Sequence, residues 1–372
     1  MGSFIFEEIE QFGRRQTAFS VHPKPISISD LSGPELNYLG TLKTMREYVV
    51  PKKLDSYTGE GAVVGLLDTG VNSAHELFKE KIIYETNYLG ETKNSNALGL
   101  ADTHGHGTHL AGIICAENKM IKYTEDGVAK STTISGIAKN AKIVSVKVTD
   151  GNDGYSTWWK ITDGLEQIIK YNYSLSEKDK HLKVNMVLIA YNALDNVNSS
   201  VCACHHRLQK LINQLSAMQV PVICSGGNGQ DYFKTADSNS MISGLGYPAY
   251  LQNTIVAVSR NEFGKLSNFT QRIYNDGRIK LKQQFALYGE DTVSAGIKSN
   301  TDYAVLSGSS QAAASLTGIL ALLYEKYGKT GLKQFINASV LNLLSEQSSE
   351  TTEDVYDINR NRISKKYFAI NN

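Results

Sequence analysis

Five short stretches of this chain are almost continuously apolar: AVVGLLD (62–68), KIVSVKV (142–148), VNMVLIAY (184–191), PVICSG (221–226) and TIVAVS (254–259). A strand with one wet face alternates apolar and polar residues, so runs like these belong to strands covered on both sides. Segments with helical spacing separate them at 106–116, 157–171 and 201–217, and a longer one runs from about Ser310 to Tyr327. Strands alternating with helices predict an α/β fold, with a largely parallel central sheet and helices on both faces. No repeat period and no low-complexity tract interrupts the pattern.

The 372 residues are 41% hydrophobic, enough for a large buried core in one or two domains. With 38 basic against 37 acidic residues the formal net charge is +1, which gives no reason to expect nucleic acid or an anionic membrane as partner. No apolar run approaches the roughly 20 residues a membrane span needs. Four cysteines in a chain this long do not make a disulfide framework. The N-terminal MGSFIFEEIEQFGRR puts a short apolar patch before acids, the reverse of a secretory signal, and Phe6 stands where N-myristoylation wants Ser or Thr. The expectation is a cytoplasmic protein, or a secreted one whose signal has been removed. The economical division is an N-terminal extension (1–40), a main domain (41–345) and a C-terminal segment (346–372). Within the last boundary, SEQSSETTEDVYDI (345–358) reads as a polar surface loop.

The first apolar run ends in Asp68-Thr69-Gly70. That tripeptide serves two unrelated chemistries: a carboxylate pair sharing one proton, or an aspartate that orients the histidine serving a serine nucleophile. The first needs a second Asp-Thr/Ser-Gly loop, and the chain has none. The second finds partners in DTHGHGTHLAG (102–112), VPVICSGGNGQ (220–230) and LSGSSQAAASLTG (306–318).

Asp, then His-Gly-Thr-His, then Gly-Asn-Gly, then Gly-Ser-Ser-x-Ala is the order found in subtilisin-like serine proteases, which this chain resembles from about residue 55 to 328. The resemblance implies a subtilisin-like fold and a serine endopeptidase acting on peptide or protein substrates through an acyl-enzyme. It makes Asp68, His106 and Ser310 the triad, selecting His106 over His104 and His109, and Ser310 over Ser309. Asn228 becomes an oxyanion donor beside the Ser310 amide. The chemistry agrees, because a serine hydroxyl is a weak nucleophile until a base is in reach. An amide at the head of a helix also lies at the positive end of its dipole. If His106 is the base, kcat/KM should rise through an apparent pKa of roughly 6.5–7.5. Substrate contacts are expected at Ala190, at Gly227, and at Gly246 in GLGYPAY (244–250), which resembles a specificity-pocket floor with room for a large side chain. Trp158 in DGYSTWW (153–159) could line a pocket or pack the start of a helix.

The match has departures. Ser309 to Ala314 replaces the family's Thr-Ser-Met-Ala-x-Pro, and Ile189-Ala190-Tyr191 stands near its Ser-Leu-Gly edge. Two other readings therefore stay open: a peptide-binding pseudoprotease without turnover, and a processing protease dedicated to one partner peptide. No metal site is expected. CACHH (202–206) falls in a helical pattern, and His106 with His109 lacks the Glu and third ligand of a zinc helix. Calcium is the one cofactor the resemblance brings into question. Residues 117–135 are longer than the family's calcium loop and do not keep its pattern, although YTEDG offers oxygen ligands. Finally, HPKPISISD (22–30) reads as an extended segment that could pair with the substrate edges and restrain activity.

Overall fold

The computed structural model of the protein describes residues 26–27, 45–92, 100–125, 128–149, 151–192, 203–228, 245–271, 284–328, 344, 346, 348–356 and 362–370. In chain order the elements begin with β1 (Ile26–Ser27), α1 (Met45–Val49), β2 (Val63–Asp68), β3 (Ile82–Asn87) and α2 (His106–Cys115). There follow β4 (Lys119–Glu125), β5 (Val128–Ile134), β6 (Lys142–Lys147), α3 (Trp158–Ser174), β7 (Met186–Ile189), α4 (Ala203–Ala217) and β8 (Val222–Ser225). The chain continues through β9 (Thr254–Arg260), β10 (Gln284–Tyr288), β11 (Thr292–Ala295), β12 (Tyr303–Leu306) and α5 (Ser309–Leu323) to β13 (Ser348–Tyr356) and β14 (Arg362–Ile370).

All five apolar runs became strands of one sheet, in the order β13-β14-β10-β9-β8-β7-β2-β6-β3. The eight strands from β14 to β3 are parallel, and β13 adds to the edge antiparallel to β14. The uniform hydrophobicity of β2 now has its cause. Val64 and Leu66 point into the core shared with α1, α2 and α5, whereas Val63 and Leu67 point into the core shared with α3 and α4. Gly65 lets α3 sit close, since a Cβ there would come 2.8 Å from Ile168 Cδ1. Helix α5 is buried along its whole length, which explains why its sequence is apolar all round rather than on one stripe. Among the described residues no helix is long and apolar enough to cross a membrane.

Three segments differ from the sequence expectations. Residues 348–356 are strand β13 rather than a surface loop, because β14 supplies an antiparallel partner from Ser348↔Ile370 to Tyr356↔Arg362. Residues 119–134 form the two-stranded β4–β5 ladder rather than a loop. In the N-terminal extension only Ile26 and Ser27 are described. They pair with β12 (Ile26↔Val305, Ser27↔Ala304), not with the expected edges around 153–159 and 189–191.

Candidate active site

Asp68 is the last residue of β2, at the carboxyl edge of the sheet between β6 and β7. It is buried, and its Oδ1 accepts from the Thr69 backbone N–H and from His106 Nδ1, both at 2.8 Å. A carboxylate only accepts, so the His106 proton resides on Nδ1 and Nε2 carries the lone pair. His106 opens α2, directly after Gly105 at φ 101°. The next residue must be glycine: a Cβ on Gly107 would sit 2.2 Å from the Gly70 carbonyl oxygen and 3.1 Å from Asp68 Oδ1.

The sequence reading gave no role to Asp102, Thr69 or Thr108, yet these hold the histidine in place. Asp102 is buried and accepts from the backbone N–H of His104 (3.0 Å), Gly105 (2.8 Å) and Thr108 (2.9 Å). It also accepts from the hydroxyls of Thr108 (2.6 Å) and Thr69 (2.9 Å). Thr69 Oγ1 in turn accepts from the Gly107 N–H at 2.9 Å. Two orphan amides at the head of α2 are thus satisfied by side chains from outside it, that of Thr108 by Asp102 and that of Gly107 by Thr69. An acid just ahead of a helix start was the available signal.

Burial pulls the His106 pKa down to about 3; the His104 ring acts the same way and Asp102 opposes both. The Asp68 carboxylate 2.8 Å away also favours the imidazolium and works against burial. His109, one turn on, is structural. Its Nε2 lies 3.1 Å from the Thr292 carbonyl and 3.2 Å from that of Ala304, joining α2 to the β11–β12 hairpin.

Ser310 is the second residue of α5, buried, with its hydroxyl donating to the Ala190 carbonyl at 3.1 Å. Its neighbour Ser309 organises the opposite side. The Ser309 N–H donates to Asn228 Oδ1 at 2.8 Å, and Ser309 Oγ accepts from the Gly227 N–H at 3.1 Å. Fixing Oδ1 leaves the Asn228 NH₂ as the outward donor. A Cβ on Gly308 would lie 3.2 Å from Asn228 Nδ2 and 3.7 Å from the Ser310 amide nitrogen, so both donors border one small space. Gly227 adopts φ 110°, and a side chain there would strike Gln271 Oε1 at 2.0 Å. Gln271 also donates its backbone N–H to the Gly227 carbonyl at 2.8 Å, a support that sequence reasoning missed.

The remaining sequence candidates divide. Ala190 and Gly227 flank Ser310 and Asn228 as described, and the Gly246 N–H donates to the Gly226 carbonyl at 2.8 Å. Trp158 is 2% exposed and its ring packs edge-on to Tyr247 at 4.5 Å, in keeping with the helix-packing alternative. His205 of CACHH stacks on the same Tyr247 at 4.1 Å, while Cys202 lies outside the described residues. Among the described residues no group of three His, Cys, Asp or Glu is arranged to hold a metal. Of the corner questioned for calcium, Asp126 and Gly127 of YTEDG lie outside the described residues. Glu117 is paired with Lys81 at 2.6 Å, and Glu76 with Lys119 at 2.7 Å and the Tyr303 hydroxyl. On either side of Asp126 and Gly127 the backbone pairs as a regular ladder, Lys119–Glu125 with Val128–Ile134.

The family profile described as the subtilase family matches residues 59–356. The chain is 26% identical over 265 residues to the major intracellular serine protease of Bacillus subtilis (strain 168), covering 71% of this chain and 69% of that one. It is 26% identical over 280 residues to thermitase of Thermoactinomyces vulgaris, covering 73% and 78% respectively. In fold it is similar to the crystal structure of a cold adapted subtilisin-like serine proteinase, with TM-score 0.57 and 19% identity over 85% of this chain and 90% of that one. With the strand-end aspartate, the helix-head histidine and the helix-head serine in the family's order, the chain belongs to the subtilase family and is a subtilisin-like serine endopeptidase.

Proposed function

We propose that this protease cleaves peptide bonds by acyl transfer, with Asp68, His106 and Ser310 as triad and the Asn228 side chain and Ser310 amide as oxyanion donors. The observation that carries the reading is the 2.8 Å bond from His106 Nδ1 to Asp68, which leaves Nε2 as the basic atom. The Ser310 hydroxyl turns from Ala190 toward Nε2, loses its proton to it, and its oxygen attacks the scissile carbonyl carbon. The carbonyl oxygen becomes an oxyanion between Asn228 Nδ2 and the Ser310 N–H, at the positive end of α5. Collapse breaks the C–N bond, and His106 returns the proton to the leaving amine. Water then repeats the sequence on the ester. Ser310→Ala should abolish turnover and covalent labelling by a fluorophosphonate probe. Ser309→Ala should keep both, with turnover reduced up to about tenfold by the loss of one supporting hydrogen bond. Labelling lost only in Ser309→Ala would reassign the nucleophile.

A second reading concerns regulation by the N-terminal extension. β1 runs antiparallel to β12, so Ile26 is the end of β1 nearer Ser310 along that strand. We propose that the extension restrains activity until it is cut or displaced, although the described pair sits on β12 and not on the substrate edges. A narrow cleavage profile across a peptide library would favour an enzyme dedicated to one partner peptide over a general endopeptidase.

A further inference from the structure

We infer that Gln311 is a third donor to the oxyanion, an assignment that rests on the roles proposed above for Ser310 and Asn228. Its carboxamide nitrogen would join Asn228 and the Ser310 amide once the attacked carbonyl has become tetrahedral. Gln311 follows Ser310 in the first turn of α5 and is 1% exposed. Its side chain folds back toward the head of the helix. A Cβ placed on Gly308 would lie 2.7 Å from Gln311 Oε1 and 3.2 Å from Asn228 Nδ2, so the carboxamide borders the space assigned to the oxyanion. The other end of that carboxamide, Nε2, is buried and has no hydrogen-bond partner among the described residues.

Two ordinary reasons for a glutamine at this place fail. At the third position of a helix, Gln commonly reaches back to the backbone N–H of the capping residue. Here that residue is Gly308, and its N–H donates instead to the Gly289 carbonyl at 2.8 Å. Nor does packing ask for an amide. Methionine, which stands here in the family's Thr-Ser-Met-Ala pattern, fills gaps of this shape with no donor to strip of water. A buried donor left unpaired costs about 1–3 kcal/mol, and catalysis is one of the few reasons to keep one. The resting orientation follows from electrostatics. With no anion present, the oxygen is the end turned toward two donors, the Asn228 NH₂ and the Ser310 N–H. As the Ser310 oxygen bonds to the carbonyl carbon, the carbonyl π pair moves onto its own oxygen and the space becomes anionic. Oε1 is then repelled, and a half-turn about the Cγ–Cδ bond puts Nε2 in its place. That torsion is broad and roughly two-fold, and the two ends of the amide are alike in shape. Nε2 gives up no partner in turning, and it gains a bond that exists only beyond the ground state.

The test compares native enzyme with Gln311→Met, which fills the same space without a donor. The two probes are a peptide anilide and the matching peptidyl trifluoromethyl ketone, whose carbonyl carbon accepts the Ser310 oxygen to give an anionic tetrahedral adduct. In the variant kcat should fall at least about tenfold, short of the roughly 10²–10³ that loss of a principal side-chain donor costs in this family. KM should stay close to native, and affinity for the ketone should fall by a factor similar to that in kcat. Gln311→Glu keeps the shape but puts a second oxygen where the nitrogen was. It should lower both at least as far, and it serves if Gln311→Met does not fold. A folded variant with native kcat, or a fall in kcat without a matching loss of ketone affinity, overturns the inference. Fluorophosphonate labelling of Ser310 in the native enzyme separates the two levels. Labelling together with an unmoved kcat removes the role of Gln311 alone, and absence of labelling removes the catalytic assignment with it.

Discussion

Asp68 uses a single oxygen to hold both the Thr69 amide and His106 Nδ1. Its charge sets the histidine's working range as well as its tautomer. Burial lowers the His106 pKa, and the carboxylate raises it. On the proposed roles only neutral His106 accepts the Ser310 proton, so kcat/KM should rise with pH through that pKa, which burial places below the 6.5–7.5 expected from the sequence. Asp68→Asn removes that raising influence and leaves only Asp102 to oppose burial. The acid limb of kcat/KM should therefore move to lower pH while kcat falls by about 10⁴, the loss seen when this constellation loses its carboxylate on another fold. A pH–rate profile measures both, and a limb displaced upward would contradict the account. At this scale Asp68, His106, Ser310 and Asn228 could be proposed from the sequence because each chemical role demands one residue type inside a short motif. The part given to Gln311 could not, since only the fold places its carboxamide beside Gly308 and Asn228 with Nε2 buried.

Helix α2 shows how an element serves the site. Its sequence, HGTHLAGIIC, has the apolar character of a buried helix but no capping side chain at Gly105. Asp102 supplies the cap from outside the helix, through five hydrogen bonds that reach both the helix head and Thr69 beside Asp68. Asp102→Ala should lower stability by about 2 kcal/mol, the upper range for loss of a cap. It should also lower kcat more than it changes KM, because His106 loses its fixed entry into the helix. Denaturant midpoints and steady-state kinetics would check both, and unchanged kcat in a folded variant would confine Asp102 to structure. Strands β4, β5 and β13 escaped the sequence reading for a different reason. Polar residues dominate their sequences, so no apolar run announced them, and the pairing that makes them strands comes from a partner strand.

Across the molecule, buried histidines join separate parts of the chain in their neutral form. His75 Nδ1 accepts from the Leu77 N–H, and its Nε2 meets the Asp302 carbonyl in the β11–β12 connection, while His109 joins α2 to the same hairpin. Burial is the main cause lowering both pKa values, that of His109 to about 3. An unfolded histidine titrates near 6.5. The folded state therefore binds fewer protons below that pH, and stability present above about 6.5 is lost as pH falls toward the folded values. The urea midpoint should drop between about pH 6.5 and 4.5, and a folded His109→Gln variant should show a shallower decline. The same hairpin receives β1. Deleting residues 1–30 should raise kcat/KM on a small peptide, and the detached segment should inhibit when added back. Unchanged kinetics in a well-folded deletion variant would remove the regulatory reading.

The sequence by itself determined the α/β class and pointed to the residues proposed to react. A two-sided buried strand must be apolar throughout, and the chemistry admits few substitutes for Asp68, His106 and Ser310. Tertiary structure alone decided the rest. It made Trp158 part of the core around Tyr247, set Lys81 and Lys119 against the carboxylates of the calcium-loop corner, and brought the Gln311 carboxamide to Gly308 and Asn228. Those outcomes depend on which elements become neighbours, and a side chain's partner across the sheet is not written in its own local pattern.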